Sequence, residues 1–174
     1  ENEAYQSEVR FEEKSGGRAF YHEEDSAISK CGAQLEKVKT LLAMGAVREA
    51  KKYYGEIDLS VFDHQETDDE NGGYEIDFRR CEFEGVWAKI LFRLGKYEDA
   101  EMCMKKILEK ICSYRGIYFK DALIARELLA DIWRAQKKNT QAFREYGIVL
   151  EGITKEHPFQ RQWIQRILDK INEE

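Results

Sequence analysis

The chain has 174 residues, 43% of them hydrophobic and 12% aromatic, enough for one domain with a substantial core and too many for disorder throughout. Charged residues reach 36% with a single proline, a mix that favours long helices with charged outer faces. The net charge of −6 argues against nucleic acid as a partner, because that affinity comes largely from neutralised phosphates; no apolar run is long enough to span a membrane, and no signal peptide is visible.

In chain order, residues 1–24 read as a polar N-terminal segment, partly helical at most, in which Tyr5 and Val9 can share one face of a short helix. The chain opens on Glu1 rather than Met, which leads us to expect a processed or excised piece. Residues 25–174 read as one helical domain. Asp25 or Ser26 can cap a helix that runs to about Met44, with Ile28, Cys31, Leu35, Val38 and Leu41 or Leu42 at three-and-four spacing. A second helix covers Val47 to Ile57, and an acidic loop insertion, "DLSVFDHQETDDENGGYE", follows at about 58–75.

Helical spacing resumes near Ile76 and continues through Trp87, Leu91 and Leu94. After Gly95 another stripe runs through Tyr97, Ala100, Met104, Ile107 and Ile111. Two further helices are predicted, from Lys120 to Gln136 and from Asn139 to Lys155. Pro158 suits the first turn of a last helix, where its missing N–H is harmless. Phe159, Trp163, Ile164, Ile167, Leu168 and Ile171 give that helix an apolar face, with Arg161, Gln162, Gln165, Arg166 and Lys170 largely on the other side. No useful β-alternation appears, so the fold class is all-α.

Three segments align: "LLAMGAVREAKKYYGEI" from Leu41, "LFRLGKYEDAEMCMKKI" from Leu91 and "WRAQKKNTQAFREYGIV" from Trp133. Ala50, Ala100 and Ala142 share a column; Tyr54, Met104 and Tyr146 follow four residues later, and Ile57, Ile107 and Val149 seven later. A small residue lets two antiparallel helices approach closely, and the larger residues one and two turns on fill the space around that contact. Gly45 and Gly95 fall where one helix ends and the next begins, where a left-handed backbone is wanted. In the third copy Lys137, Lys138 and Asn139 replace the Gly-x-Tyr of the second.

"LGKYEDAE" followed by an aliphatic pair resembles the turn and second helix of a tetratricopeptide repeat. The 42 residues from Ala100 to Ala142, with "LEGITKEHPF", resemble the long units of the kinesin-light-chain type, and the likeness covers roughly Ser26 to Glu174. It implies an antiparallel helix-pair superhelix: a TPR-like solenoid of about three helix pairs plus a C-terminal capping helix, working as an adaptor or scaffold. It also implies a concave inner wall formed by the first helix of each pair. Carried over from the alanine columns, the partner-binding positions on that wall are Lys39, Leu42, Lys89, Phe92, Arg93, Glu127, Asp131 and Arg134.

Lys39, Lys89, Arg93 and Arg134 would line the groove of an acidic chain with positive charge, beside Phe92 as an apolar anchor. The expected ligand is therefore an acidic or carboxylate-bearing peptide. Leu35, Glu82 and Gly85 fall where the family's chaperone-binding members want polar clamp residues, which disfavours a chaperone-tail adaptor.

Catalytic signals are weak. His22, His64 and His157 are far apart, no HExxH or Cys/His ligand spacing exists, and no phosphate-binding glycine loop is present. The acidic loop fails as an EF-hand: with Gly72 central, Phe78 stands where the closing Glu is required. No cofactor, no metal and no enzymatic activity are expected. Cys31, Cys81, Cys103 and Cys112 include no CxxC pair and read as free thiols in a reducing, cytoplasmic setting. The alternative to a peptide-binding module is a sensor or regulatory segment of a larger signalling protein; a truncated array would self-associate through Trp163 and Ile167.

Overall fold

The computed structural model describes residues 27–62 and 72–173, with the backbone alone for residues 72–78 and 114. The described residues form seven α-helices and one short 3-10 helix, with no strands among them. In chain order these are α1 (27–43), α2 (Val47–Gly55), the 3-10 turn (Leu59–Phe62), α3 (Gly72–Arg93), α4 (Tyr97–Arg115), α5 (Lys120–Ala135), α6 (Asn139–Glu156) and α7 (Arg161–Asn172). The expectations for residues 1–24, for the Asp25/Ser26 cap and for the EF-hand test of the acidic loop lie outside the described residues.

The same turn closes α1, α3 and α5. Gly45 (φ 78°), Gly95 (φ 75°) and Lys137 (φ 62°) are left-handed. The amide one residue later reaches back to the helix it has left: Ala46 N–H to the Leu41 carbonyl at 2.9 Å, Lys96 to Leu91 at 2.9 Å and Lys138 to Trp133 at 2.8 Å. These bonds satisfy carbonyls that would otherwise be orphaned at the helix end. Each turn leaves only three residues between packed helices, so the two must run antiparallel. Lys137 adopts the glycine conformation without being glycine, at a cost of about 1–2 kcal/mol.

The alanine columns lie in the core. Ala50, Ala100 and Ala142 are all 0% exposed. Tyr54, Met104 and Tyr146 are buried one turn on, and Ile57, Ile107 and Val149 beyond them. Gly152 marks a close approach of α6 to its neighbours, since a Cβ there would stand 2.6 Å from the Leu123 Cδ2 and 2.9 Å from the Tyr118 ring.

Packing runs between neighbours: α2 on α3, α3 on α4, α4 on α5, α5 on α6 and α6 on α7, with a further contact between α3 and α5. Two cores result. Ile28, Leu35, Val38, Tyr54 and Phe62 join Phe83, Val86 and Ile90 of α3 in one. Cys81, Ala88 and Leu91 of the same helix join α4 to α7 in the other. α3 is therefore a shared partition, apolar on two sides because it must serve both.

Two boundaries differ from the sequence expectation. α3 begins at Gly72, inside the stretch assigned to the loop and before the first apolar position at Ile76. Its opening glycines have no side chains with which to mark a helical period. The last helix begins at Arg161, not at Pro158. The Gln160 amide bonds to the His157 carbonyl in a turn, and Phe159 stands 95% exposed, outside the helix whose apolar face it was expected to join.

Candidate functional site on the odd-numbered helices

Lys39, Lys89 and Asp131 occupy the same place in α1, α3 and α5, eleven residues before each column alanine. Their surroundings differ sharply. Lys39 is shared between Glu36 one turn back at 2.6 Å and Glu82 of α3 at 2.5 Å. Burial works against its charge, but the two carboxylates outweigh that and raise its pKa. Asp131 accepts from the Tyr146 hydroxyl at 2.6 Å and from the Lys170 ammonium at 2.7 Å. Among the described residues, Lys89 makes no hydrogen bond or ion pair, and neither does Arg93 one turn further along α3.

Lys89 is an exposed residue, yet desolvation lowers the pKa of its ammonium, and Lys39 pushes the same way; Glu127 and Glu82 oppose the shift without cancelling it. A pocket of about 510 Å3 opens beside it between α3, α4 and α5. Val86, Met104, Ile107 and Leu128 supply an apolar floor, and Lys39 and Lys89 stand among its polar lining groups. Gly85 lies in the same lining, and a Cβ there would meet nothing within 4 Å. A glycine in mid-helix costs about 1 kcal/mol against alanine, and here no packing contact requires it; it leaves the pocket wider.

The other predicted wall residues are engaged within the fold. Leu42 is half-buried against the N-terminal core. Phe92 is half-buried against the C-terminal core and tilted on Tyr97 with ring centroids 5.9 Å apart, so the open apolar surface at this place is the pocket floor. Glu127 is the buried charged residue among those described, at 7% exposure. It accepts from Trp163 Nε1 at 2.7 Å, Arg166 Nε at 2.9 Å and Lys170 Nζ at 2.8 Å. Burial pushes its carboxyl pKa up, but Arg166 and Lys170 outweigh that and hold it below the ordinary value. Arg134 donates to the backbone carbonyls of Lys170 at 3.0 Å and Glu173 at 2.5 Å, closing the C-terminal end of α7.

α7 thus engages Glu127 and Asp131 of α5, while Lys89 and Arg93 on α3 are exposed. Arg166 and Lys170 escaped the sequence reading because basic residues on an amphipathic helix are ordinarily solvated. Their i, i+4 spacing, matching that of Glu127 and Asp131, was the available signal. Trp163 and Ile167 are buried inside the same chain.

The four cysteines are free thiols. Burial pushes the Cys103 thiol up to about 11 and raises that of Cys31, which keeps both protonated and unreactive. Among the described residues no group of three His, Cys, Asp or Glu side chains could hold a metal ion, and no helix is long and apolar enough to cross a membrane. Comparison of the chain with family models, with curated proteins and with solved structures gives no match.

Proposed function

We propose that the chain is a non-enzymatic protein-interaction module of TPR-like design, whose inner wall binds an acidic partner peptide or helix at α3. The single observation that carries this is Lys89, which lines an apolar-floored pocket and makes no hydrogen bond or ion pair among the described residues, with Arg93, also exposed, one turn further along α3. A carboxylate would find charge-assisted partners there without breaking any existing pair, and an adjacent apolar side chain would find the floor.

The repeat reading draws support from the zero exposure of the three column alanines, from the threefold recurrence of one turn and from nearest-neighbour packing. In this proposal the wall runs along α1, α3 and α5, and α7 is the capping helix. Four free thiols favour a reducing, cytoplasmic setting. A second reading, a sensor segment with a small ligand, is favoured by the size of the pocket, which lies within the range of small-molecule sites.

The test is a pull-down with mass spectrometry, run in parallel with the charge-reversed Lys89→Glu/Arg93→Glu variant. Partners with acidic segments should be captured by the wild-type chain and lost from the variant. A confirmed peptide partner that binds both equally tightly removes the α3 site.

A further inference from the structure

The docking of α7 has its own chemistry, and it is independent of what binds at α3. Trp163, Arg166, Ile167 and Lys170 fall at i, i+3, i+4 and i+7, on one face of the helix. Trp163 and Ile167 enter the C-terminal core between them. The indole N–H, the guanidinium and the ammonium all converge on the Glu127 carboxylate, and the ammonium extends to Asp131. The recognition is thus coded: an aromatic donor, two cations and one aliphatic residue on the incoming helix, set against two carboxylates one turn apart on α5.

The attachment is also light for an integral helix. α7 buries two side chains, whereas α5 buries nine and α6 four. The connector gives no second anchor at Phe159, its one large apolar side chain, which is 95% exposed. Arg166 remains more than half exposed even while paired, so salt can screen it. If α7 lifts away, Glu127 and Asp131 return to water instead of being stranded in a closed interior, so the step leaves no uncompensated buried charge.

We propose that the exposed sides of α5 and α6 form a receptor for a basic amphipathic helix, that α7 is its resident occupant, and that a partner helix presenting Trp, Arg, Ile and Lys at the same spacing takes its place. The partner is of opposite charge to the one expected at α3, so the two sites would recognise different segments.

The experiment uses the full chain and a fluorescein-labelled synthetic peptide of residues 158–174. In the chain, Arg166→Glu/Lys170→Glu turns the resident helix against Glu127 and Asp131. The labelled wild-type peptide should then bind this variant at least tenfold more tightly than it binds the wild-type chain, by fluorescence anisotropy. A peptide carrying the same two substitutions should not bind, and Glu127→Gln/Asp131→Asn in the receptor should weaken wild-type peptide binding at least tenfold. Equal binding to the charge-reversed and wild-type chains would overturn the proposal. So would loss of helical signal throughout the variant, because α7 would then be an inseparable part of the core. Hydrogen exchange on the unaltered chain gives a check free of folding defects. The amides of residues 164–171 should exchange at least tenfold faster than those at the centre of α5, and faster still at high salt; exchange at the same rate as α5 would contradict a detachable helix.

Discussion

α3 and α5 carry equivalent positions of one recurring sequence pattern, and those positions have been left in opposite states. Lys89 on α3 and Asp131 on α5 stand at the same sequence distance from their column alanines, yet one has no partner among the described residues and the other is held by Tyr146 and Lys170. The backbone supplies the position; the next odd-numbered helix decides what becomes of it. α7 brings two cations to α5, whereas α5 brings Glu127 toward α3 and then commits that carboxylate to α7.

The largest perturbation of this contrast is Trp163→Ala. Truncating a buried tryptophan costs about 3–5 kcal/mol, and here the loss falls on the docking of α7. Protection of the α7 amides should drop by about a hundredfold or more, at tenfold per 1.4 kcal/mol, while the α1–α4 amides stay unchanged. Equal loss along the whole chain would show that the two parts of the wall are not separable.

Acid should act on the same contact. The Glu127 carboxyl is held below its ordinary value of 4.5, so its contribution is fully present above that pH and is lost as pH falls through the lowered pKa. Glu101 holds α4 to the α5–α6 turn on the same terms: burial pushes its carboxyl up, but Lys105 and Lys138 outweigh that and pull it down to about 2. Acidification below 4.5 should therefore loosen both contacts, with the Glu101 contribution lost only as pH approaches 2. Trp163 fluorescence and α7 hydrogen exchange would follow the first of these, and a signal flat down to about pH 2 would contradict the role given to Glu127.

A smaller effect is expected at the turns. Lys137→Gly relieves a left-handed strain of about 1–2 kcal/mol but loosens the unfolded chain by about 0.5–1 kcal/mol. The net gain should be about 0.5–1 kcal/mol, read by urea denaturation, and any loss of stability would mean that Lys137 has a role beyond the turn. Smallest of all is Lys89→Met. Removing an unpaired, partly desolvated cation should shift stability by no more than about 0.5 kcal/mol, in the stabilising direction, while lowering affinity for an acidic partner.

Much of the frame was legible in the sequence because it rests on residues with one use. An alanine at a helix crossing and a glycine at a left-handed turn are there for sterics, and sterics repeats. Ala50, Ala100 and Ala142 could be aligned for that reason, and Lys137 could be placed although its side chain contradicts the rule. The wall was less legible because a charged residue on a helix face has several uses. Lys39, Lys89 and Arg134 look alike in the sequence, yet one bridges two helices, one is unpaired and one closes the end of α7. Phe159 was misplaced for a related reason: an aromatic residue after Pro158 fits the apolar period, but α6 runs to Glu156 and the turn that follows carries it outward.

Competitive acetylation of the native chain, with Lys39, Lys89 and Lys170 quantified by mass spectrometry, tests the contrast between paired and unpaired wall residues most directly. Lys89, unpaired and with a lowered pKa, should acylate fastest at neutral pH, with Lys39 and Lys170 slowed by their carboxylate partners. Labelling of Lys89 no faster than of Lys39 or Lys170 would mean that the α3 cation is already occupied, and the binding site assigned to it would be lost.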